Sequence, residues 1–197
     1  MSPPTKGQVT RQQIIQAAYR LFLDKGYAAT SIRDIVAAAG ITIGGFYAHF
    51  ASKEELFSAV FDTCNPYQHL IPLLAQANGD TLEALLQDAA RRVVETLSQQ
   101  PEGVKLIFIE VVEFQGKHFA PVFTTGFPQM IGLIQRLAGF KQQIRDLPPA
   151  TLARFFAGLF FSFYITGVFF PDIFKTGEAE IQQFVDIYLH GILEKKA

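Results

Sequence analysis

A chain of 197 residues with 49% hydrophobic and only 18% charged side chains can bury a sizeable core, which excludes a disordered protein. Its 20 Phe and lack of Trp make it apolar for a soluble chain, so part of that surface is expected to serve a pocket or a subunit contact. The single cysteine, Cys64, excludes an internal disulfide, and no basic segment followed by an apolar stretch opens the chain, so a reducing, cytoplasmic location is expected.

The net charge of −1 is unevenly spread. Through Lys53 there are six basic residues and two acidic ones, a balance of +4, against eleven and sixteen afterwards, a balance of −5. A basic first quarter on an acidic remainder suits a small anion-binding head.

Apolar residues recur at three and four positions almost throughout, which predicts an all-α fold. Residues 1–9, with Pro3, Pro4 and Gly7, read as a frayed arm. Thr10 with Gln13 forms a capping box for a first helix whose buried stripe is Ile14, Ala17, Ala18, Leu21 and Phe22, and Gly26 ends it in the left-handed conformation. Thr30 or Ser31 caps a second helix, with Asp34 in its first turn and Ile32, Ile35, Val36 and Ala39 inward; Gly40 stops it. Ile41 reads as an apolar plug in the turn, and Thr42 caps a short third helix ending near Phe50. Ser52 and Glu55 open a fourth helix carrying Leu56, Val60 and Phe61, which ends at Asn65-Pro66.

A short segment to about Ala77 follows, then helices near 80–99, 101–115, 117–140, 149–170 and 178–195, separated by Asn78-Gly79, Pro101, Gly116, Pro148-Pro149, Pro171 and Gly177. The stretch from Phe155 to Pro171 carries no charge, yet it falls short of the ~18–20 residues that span a bilayer, so it reads as a buried helix and no membrane association is expected.

Two short helices joined by a glycine turn, after a longer amphipathic helix, are the parts of a helix-turn-helix spanning about Ser31 to Phe50. At about 100° per residue, Phe46 and Phe50 turn inward while Gly44, Gly45 and Ala48 turn outward, with Tyr47 and His49 on the flanks. That bare centre lets backbone approach the major groove of double-stranded DNA, with Tyr47, His49 and Lys53 assigned to phosphates. Base reading falls to Arg33, Thr42 and Ile43, the last suited to a thymine methyl.

The run from Gly26 to Leu56, with its Gly40 turn and its Phe46-Tyr47-Ala48-His49-Phe50-Ala51-Ser52-Lys53-Glu54 segment, resembles the amino-terminal signature of the TetR/AcrR family of regulators. The resemblance covers about the first sixty residues and implies that Thr30, Ser31, Arg33, Thr42, Gly44, Gly45, Tyr47, His49 and Lys53 occupy DNA-contacting positions. Ile43 departs from relatives, where this position is commonly polar or basic.

Fourteen of the 20 Phe lie between Phe108 and Phe174. Phe108, Val112, Phe119, Phe123 and Phe127, with Phe156, Phe160 and Tyr164, are expected to wall a site for a small apolar or aromatic effector. Glu110, Glu113 and His118 are among the few polar groups there, and Glu113 is placed to pair with Lys117 four residues on. The last two helices are apolar on more than one face, which predicts a homodimer, as does the resemblance.

The expected organisation is a helix-turn-helix DNA-binding domain over 1–53 and a helical ligand-binding and dimerisation domain over 54–197. The expected function is a ligand-responsive transcriptional regulator, a repressor on palindromic operator DNA, needing no cofactor. An enzyme is the first rival, but no nucleophile elbow or phosphate-cradling loop appears, and His49, His69, His118 and His190 are too scattered for a metal or catalytic site. A protein-binding adaptor is the second, and the basic balance before Lys53 argues against it.

Overall fold

The computed structural model describes residues 3–99 and 102–192, apart from the side chains at 123, 127, 149, 150, 153 and 157. Among these residues it is helical without a strand: α1 (Lys6–Lys25), α2 (Ile32–Ala39), α3 (Ile43–Tyr47), α4 (Lys53–Cys64), α5 (Tyr67–Ala75), α6 (Leu82–Gln99), α7 (Gly103–Phe114), α8 (Phe119–Gly126), α9 (Ile131–Ala138), α10 (Pro149–Phe169) and α11 (Glu178–Ile192). The chain forms two compact units, Met1–Gln68 with Glu102–Thr124, and His69–Pro101 with Thr125–Ala197. The boundary expected after Lys53 lies one residue into α4, and α4 and α7 both pack on α1.

In the first unit, α1 begins earlier than expected. Thr5, not Thr10, is the N-cap: its hydroxyl accepts from the Gln8 N–H and the Gln8 side chain accepts from the Thr5 N–H, a complete capping box. The hydroxyl of Thr10 donates back to the Lys6 carbonyl at 3.0 Å, inside the helix, so residues 6–9 are helix rather than arm. The buried stripe is Ile14, Ile15, Ala18 and Phe22, while Ala17 and Leu21 are half-buried. Gly26 has φ 81° with an extended ψ of 164°, a region closed to residues with a Cβ, rather than the left-handed helical conformation expected. Gly40 does take that conformation, at φ 66° and ψ 33°.

After α4, the short segment expected to about Ala77 is helical over Tyr67–Ala75 despite Pro72. The single helix over 117–140 is broken, because Pro128 has no N–H to continue α8; a 3-10 turn over Phe127–Met130 separates it from α9.

The end of α7 is pinned by a buried carboxylate. Gln115 and Gly116, at φ 55° and 83°, reverse the chain after Phe114. Glu110, fully buried, then accepts the His118 N–H at 2.7 Å, and its second oxygen meets His118 Nδ1 at 2.6 Å. The reversal takes Lys117 off the α7 face, so it pairs with Glu54 at 2.5 Å rather than with Glu113 and holds the Glu54 carboxyl below its usual range. Both partners are exposed, so the pair adds little stability.

Phe57, fully buried on α4, gathers these elements. Its ring centroid lies 5.6 Å from Phe22, 5.4 Å from Tyr27, 4.4 Å from Phe114 and 5.6 Å from the His118 imidazole.

In the second unit α6 buries Leu82, Leu85, Leu86, Ala89, Val93 and Leu97, and packs on α10 and α11. Tyr164 donates to the Leu97 carbonyl at 2.8 Å and Tyr188 to the Leu152 carbonyl at 3.0 Å; burial pushes the Tyr188 phenol up to about 12. No helix among the described residues is long and apolar enough to cross a membrane.

Replacing Phe57 by Ala is expected to lower the unfolding free energy by about 3–5 kcal/mol, read as a shifted urea midpoint, because one ring supplies contacts on four sides. A loss below about 1 kcal/mol would show that the cluster is not a cooperative core.

Candidate nucleic-acid interface

The short α3 owes its position to two anchors. Phe46 and Phe50 are buried, at 0% and 1% exposure, and fix which way the helix faces. Thr42 caps it, its hydroxyl accepting the Gly45 N–H at 3.1 Å. Gly44, Tyr47 and Ala48 are exposed, Gly45 and His49 are half-buried, and Ile43 is 46% exposed at the first helical position. A Cβ added at Gly44 would meet nothing closer than the Thr42 hydroxyl at 4.0 Å, so packing within the chain does not require this glycine.

α2 crosses beside α3 and carries Arg33, exposed on its outer side. Its start is a closed ring of bonds. The Ser31 hydroxyl accepts the Asp34 N–H at 3.1 Å and donates to the Asp34 carboxylate at 2.6 Å, and the Ser31 N–H donates to the same oxygen at 2.9 Å. The Ser31 hydroxyl and main chain hold the Asp34 carboxyl below the usual carboxylate range.

Two of the expected contact residues turn inward. Thr30 is 1% exposed, and its hydroxyl donates to the Gly26 carbonyl at 2.7 Å and faces that of Leu21 at 3.3 Å, so its side chain closes the turn rather than lining the outer surface. Lys53 is half-buried; its ammonium donates to the Tyr27 and Thr30 carbonyls at 2.8 and 2.9 Å and lies 4.2 Å from the Tyr27 ring centre, leaving one of three N–H groups uncommitted.

Sequence reasoning overlooked Arg11. Its guanidinium sits 4.9 Å over the Phe50 ring, at the seam of α1 and α3, and Gly7 one turn earlier lies against the His49 ring. The signal was available: residues 7 and 11 are spaced i, i+4 on α1 once that helix is started at Lys6. The outward residues Ile43, Gly44, Tyr47 and Ala48 are thereby flanked by Arg11 on one helix and Arg33 on another.

The residues expected to wall an effector site divide between the units. Phe108, at 42% exposure, Val112, at 74%, and Phe119 belong to the first, with the Phe119 ring edge-on to Phe61 and near Tyr67. Phe156, Phe160 and Tyr164 lie along α10 in the second, the last two buried. The side chains of Phe123 and Phe127 lie outside the described residues. An open recess in the second unit is polar, lined by Asp88, Arg91, Arg92 and Glu95 of α6, and both arginines are paired to Asp88. Among the described residues no His, Cys, Asp and Glu cluster could hold a metal ion.

Because the Asp34 carboxyl titrates lower when folded, the stability it lends is complete above the unfolded carboxylate range and is lost as pH falls through the folded value. Asp34→Asn is therefore expected to be less stable than the parent at neutral pH and to lose less on acidification below about pH 5, as read from urea midpoints across pH. Parallel midpoint curves for the two proteins would contradict this.

Residues 14–60 match the family model described as bacterial regulatory proteins, tetR family. The chain is 32% identical to the HTH-type transcriptional regulator AcrR of Shigella flexneri over 115 residues, 57% of this chain and 54% of that one. It is 44% identical to TtgR of Pseudomonas putida over 66 residues, 33% of this chain and 31% of that one. In the AcrR match the chain spans about half the length of its relative. Among solved structures, SmeT, the repressor of the Stenotrophomonas maltophilia multidrug efflux pump SmeDEF, superposes with a TM-score of 0.68 at 21% identity, covering 96% of this chain and 93% of that one. SmeT has also been solved in complex with triclosan. By sequence and geometry the three-helix head is similar to the amino-terminal part of the TetR family of bacterial regulatory proteins, and the all-α fold is shared with SmeT.

Proposed function

We propose that this protein is a ligand-responsive transcriptional regulator, a repressor, that binds palindromic double-stranded DNA as a homodimer inside the cell and leaves it when a small apolar or aromatic effector binds. The observation that carries this reading is the outward surface of α3: Ile43, Gly44, Tyr47 and Ala48 exposed over buried Phe46 and Phe50, with Arg11 and Arg33 beside it. A helix nearly free of side chains at its centre enters a major groove closely, and flanking cations meet phosphate. Arg33, Thr42, Ile43, Gly44, Gly45, Tyr47, His49 and the remaining N–H of Lys53 are the proposed contacts, with Arg11 added. Ser31 acts through the α2 cap, since its hydroxyl proton is already given to Asp34.

One short helix supplies limited affinity, and two heads at a fixed spacing read a palindrome. The surface proposed for pairing is the outer side of α10 and α11, where Phe155, Phe161 and Ile187 are 48%, 42% and 58% exposed. Apolar side chains at that exposure on consecutive helices suit an isologous contact. The effector is assigned to the aromatic positions along α10 of the second unit, Phe156, Phe160 and Tyr164. SmeT, whose fold this chain shares, has been solved in complex with triclosan. Coupling is reciprocal: an effector that favours wrongly spaced heads weakens DNA binding, and DNA weakens effector binding by the same factor.

Selection from a random duplex pool should recover a two-fold symmetric site whose affinity falls linearly with log salt concentration. Arg11→Ala, removing a cationic phosphate contact, is expected to weaken binding to specific and unrelated duplexes alike, by about ten-fold, with a shallower salt slope. Ile187→Asp should sediment as a monomer and lose the tight site while keeping its helical circular dichroism. A wild-type protein that stays monomeric and binds no duplex at low salt would end this reading.

A further inference from the structure

The outer surface of α3 is unusual for a reading surface in what it lacks. Gly44 and Gly45 have no side chain, Ala48 has only a methyl, and the Thr42 hydroxyl oxygen is held by the Gly45 N–H. What remains at the amino-terminal end is Ile43, 46% exposed, and one turn on Tyr47, 55% exposed. Residues four apart on a helix stand side by side, so these two form one exposed apolar step. Both are held still: the Tyr47 ring stands edge-on to buried Phe46, 5.3 Å between centroids at 87°, and a β-branched isoleucine has a stiff first torsion. The first residues of a recognition helix are those that meet base edges. In the major groove the apolar feature of a base edge is the C5 methyl of thymine, which 5-methylcytosine also carries.

Resting on the DNA-binding reading above, we infer that Ile43 and Tyr47 form a slot for a pyrimidine C5 methyl, and that this contact, not a hydrogen bond from α3, sets the base preferred at that step of each half-site. Gly44 serves the same end. Its bareness is not needed for packing within the chain, and it lets the slot come down to the groove floor. Hydrogen-bonded base reading then falls to the exposed Thr42 and Arg33.

The test uses the full-length protein and the duplex recovered from the random pool, with each thymine replaced singly by deoxyuridine, which removes only the methyl. One position per half-site is expected to lose about four-fold in affinity, the worth of one buried methyl, and the other positions to change little. At that position a cytosine–guanine pair should bind more weakly than thymine–adenine, and 5-methylcytosine should bind more tightly than cytosine. Ile43→Ala and Ile43→Thr, both at a half-exposed site, should keep the parent's melting temperature and bind the thymine and deoxyuridine duplexes equally well. A flat deoxyuridine scan with intact wild-type binding overturns the slot alone, as does an Ile43→Ala protein that still distinguishes thymine from deoxyuridine. Absence of binding to every duplex overturns the DNA-binding reading and the slot with it.

Discussion

The packing of one ring, Phe57, decides how the amino-terminal unit is held. It lies where α1, the turn after it, α4 and the end of α7 converge, in contact with Phe22, Tyr27, Phe114 and His118. Aromatic pairs at 4.4–5.6 Å combine a large buried area with geometric preference, so α1 and α4 cannot shift independently of α7. Since α2 packs on α1 and α3 on α2, the direction in which α3 points depends on that ring.

The same turn explains why a lysine in the signature segment faces partly inward. Between Gly26 and Ser31 the carbonyls of Tyr27 and Thr30 are turned toward α4, and a carbonyl taken from water costs free energy unless a donor replaces it. Lys53 supplies both bonds and stacks its charge on the Tyr27 ring, while the Thr30 hydroxyl satisfies the Gly26 carbonyl. Charge that composition alone would assign to phosphate is here divided between the fold and the surface. Arg11 and Arg33 stand exposed beside α3.

Beside the same cluster, a carboxylate closes the turn from α7 to α8. Glu110 is fully buried with both oxygens engaged by His118, and the reversal at Gln115-Gly116 requires positive φ at two residues in succession. A left-handed glutamine is tolerated because the bonds on either side of it are made. The polar groups that looked like candidates for orienting an effector are, at Glu110 and His118, consumed in holding the backbone.

Much of the head was legible from local chemistry alone. The caps at Ser31 and Thr42, the left-handed Gly40 and the inward turn of Phe46 and Phe50 depend on residues within four positions of one another, and such bonds and periodicities are written in the chain order. The same locality explains the start of α1, where two Thr-x-x-Gln boxes compete within ten residues and the earlier one caps the helix because residues 6–9 continue it. Partners far apart in sequence were beyond reach. Lys53 meets Tyr27 and Thr30 across 26 and 23 positions, Lys117 meets Glu54 across 63, and Tyr164 meets Leu97 across 67. Which of several donors reaches a given carbonyl is settled by the packing of whole helices, so only tertiary structure could turn Thr30 inward, enlist Lys53 in the fold and bring Arg11 beside α3.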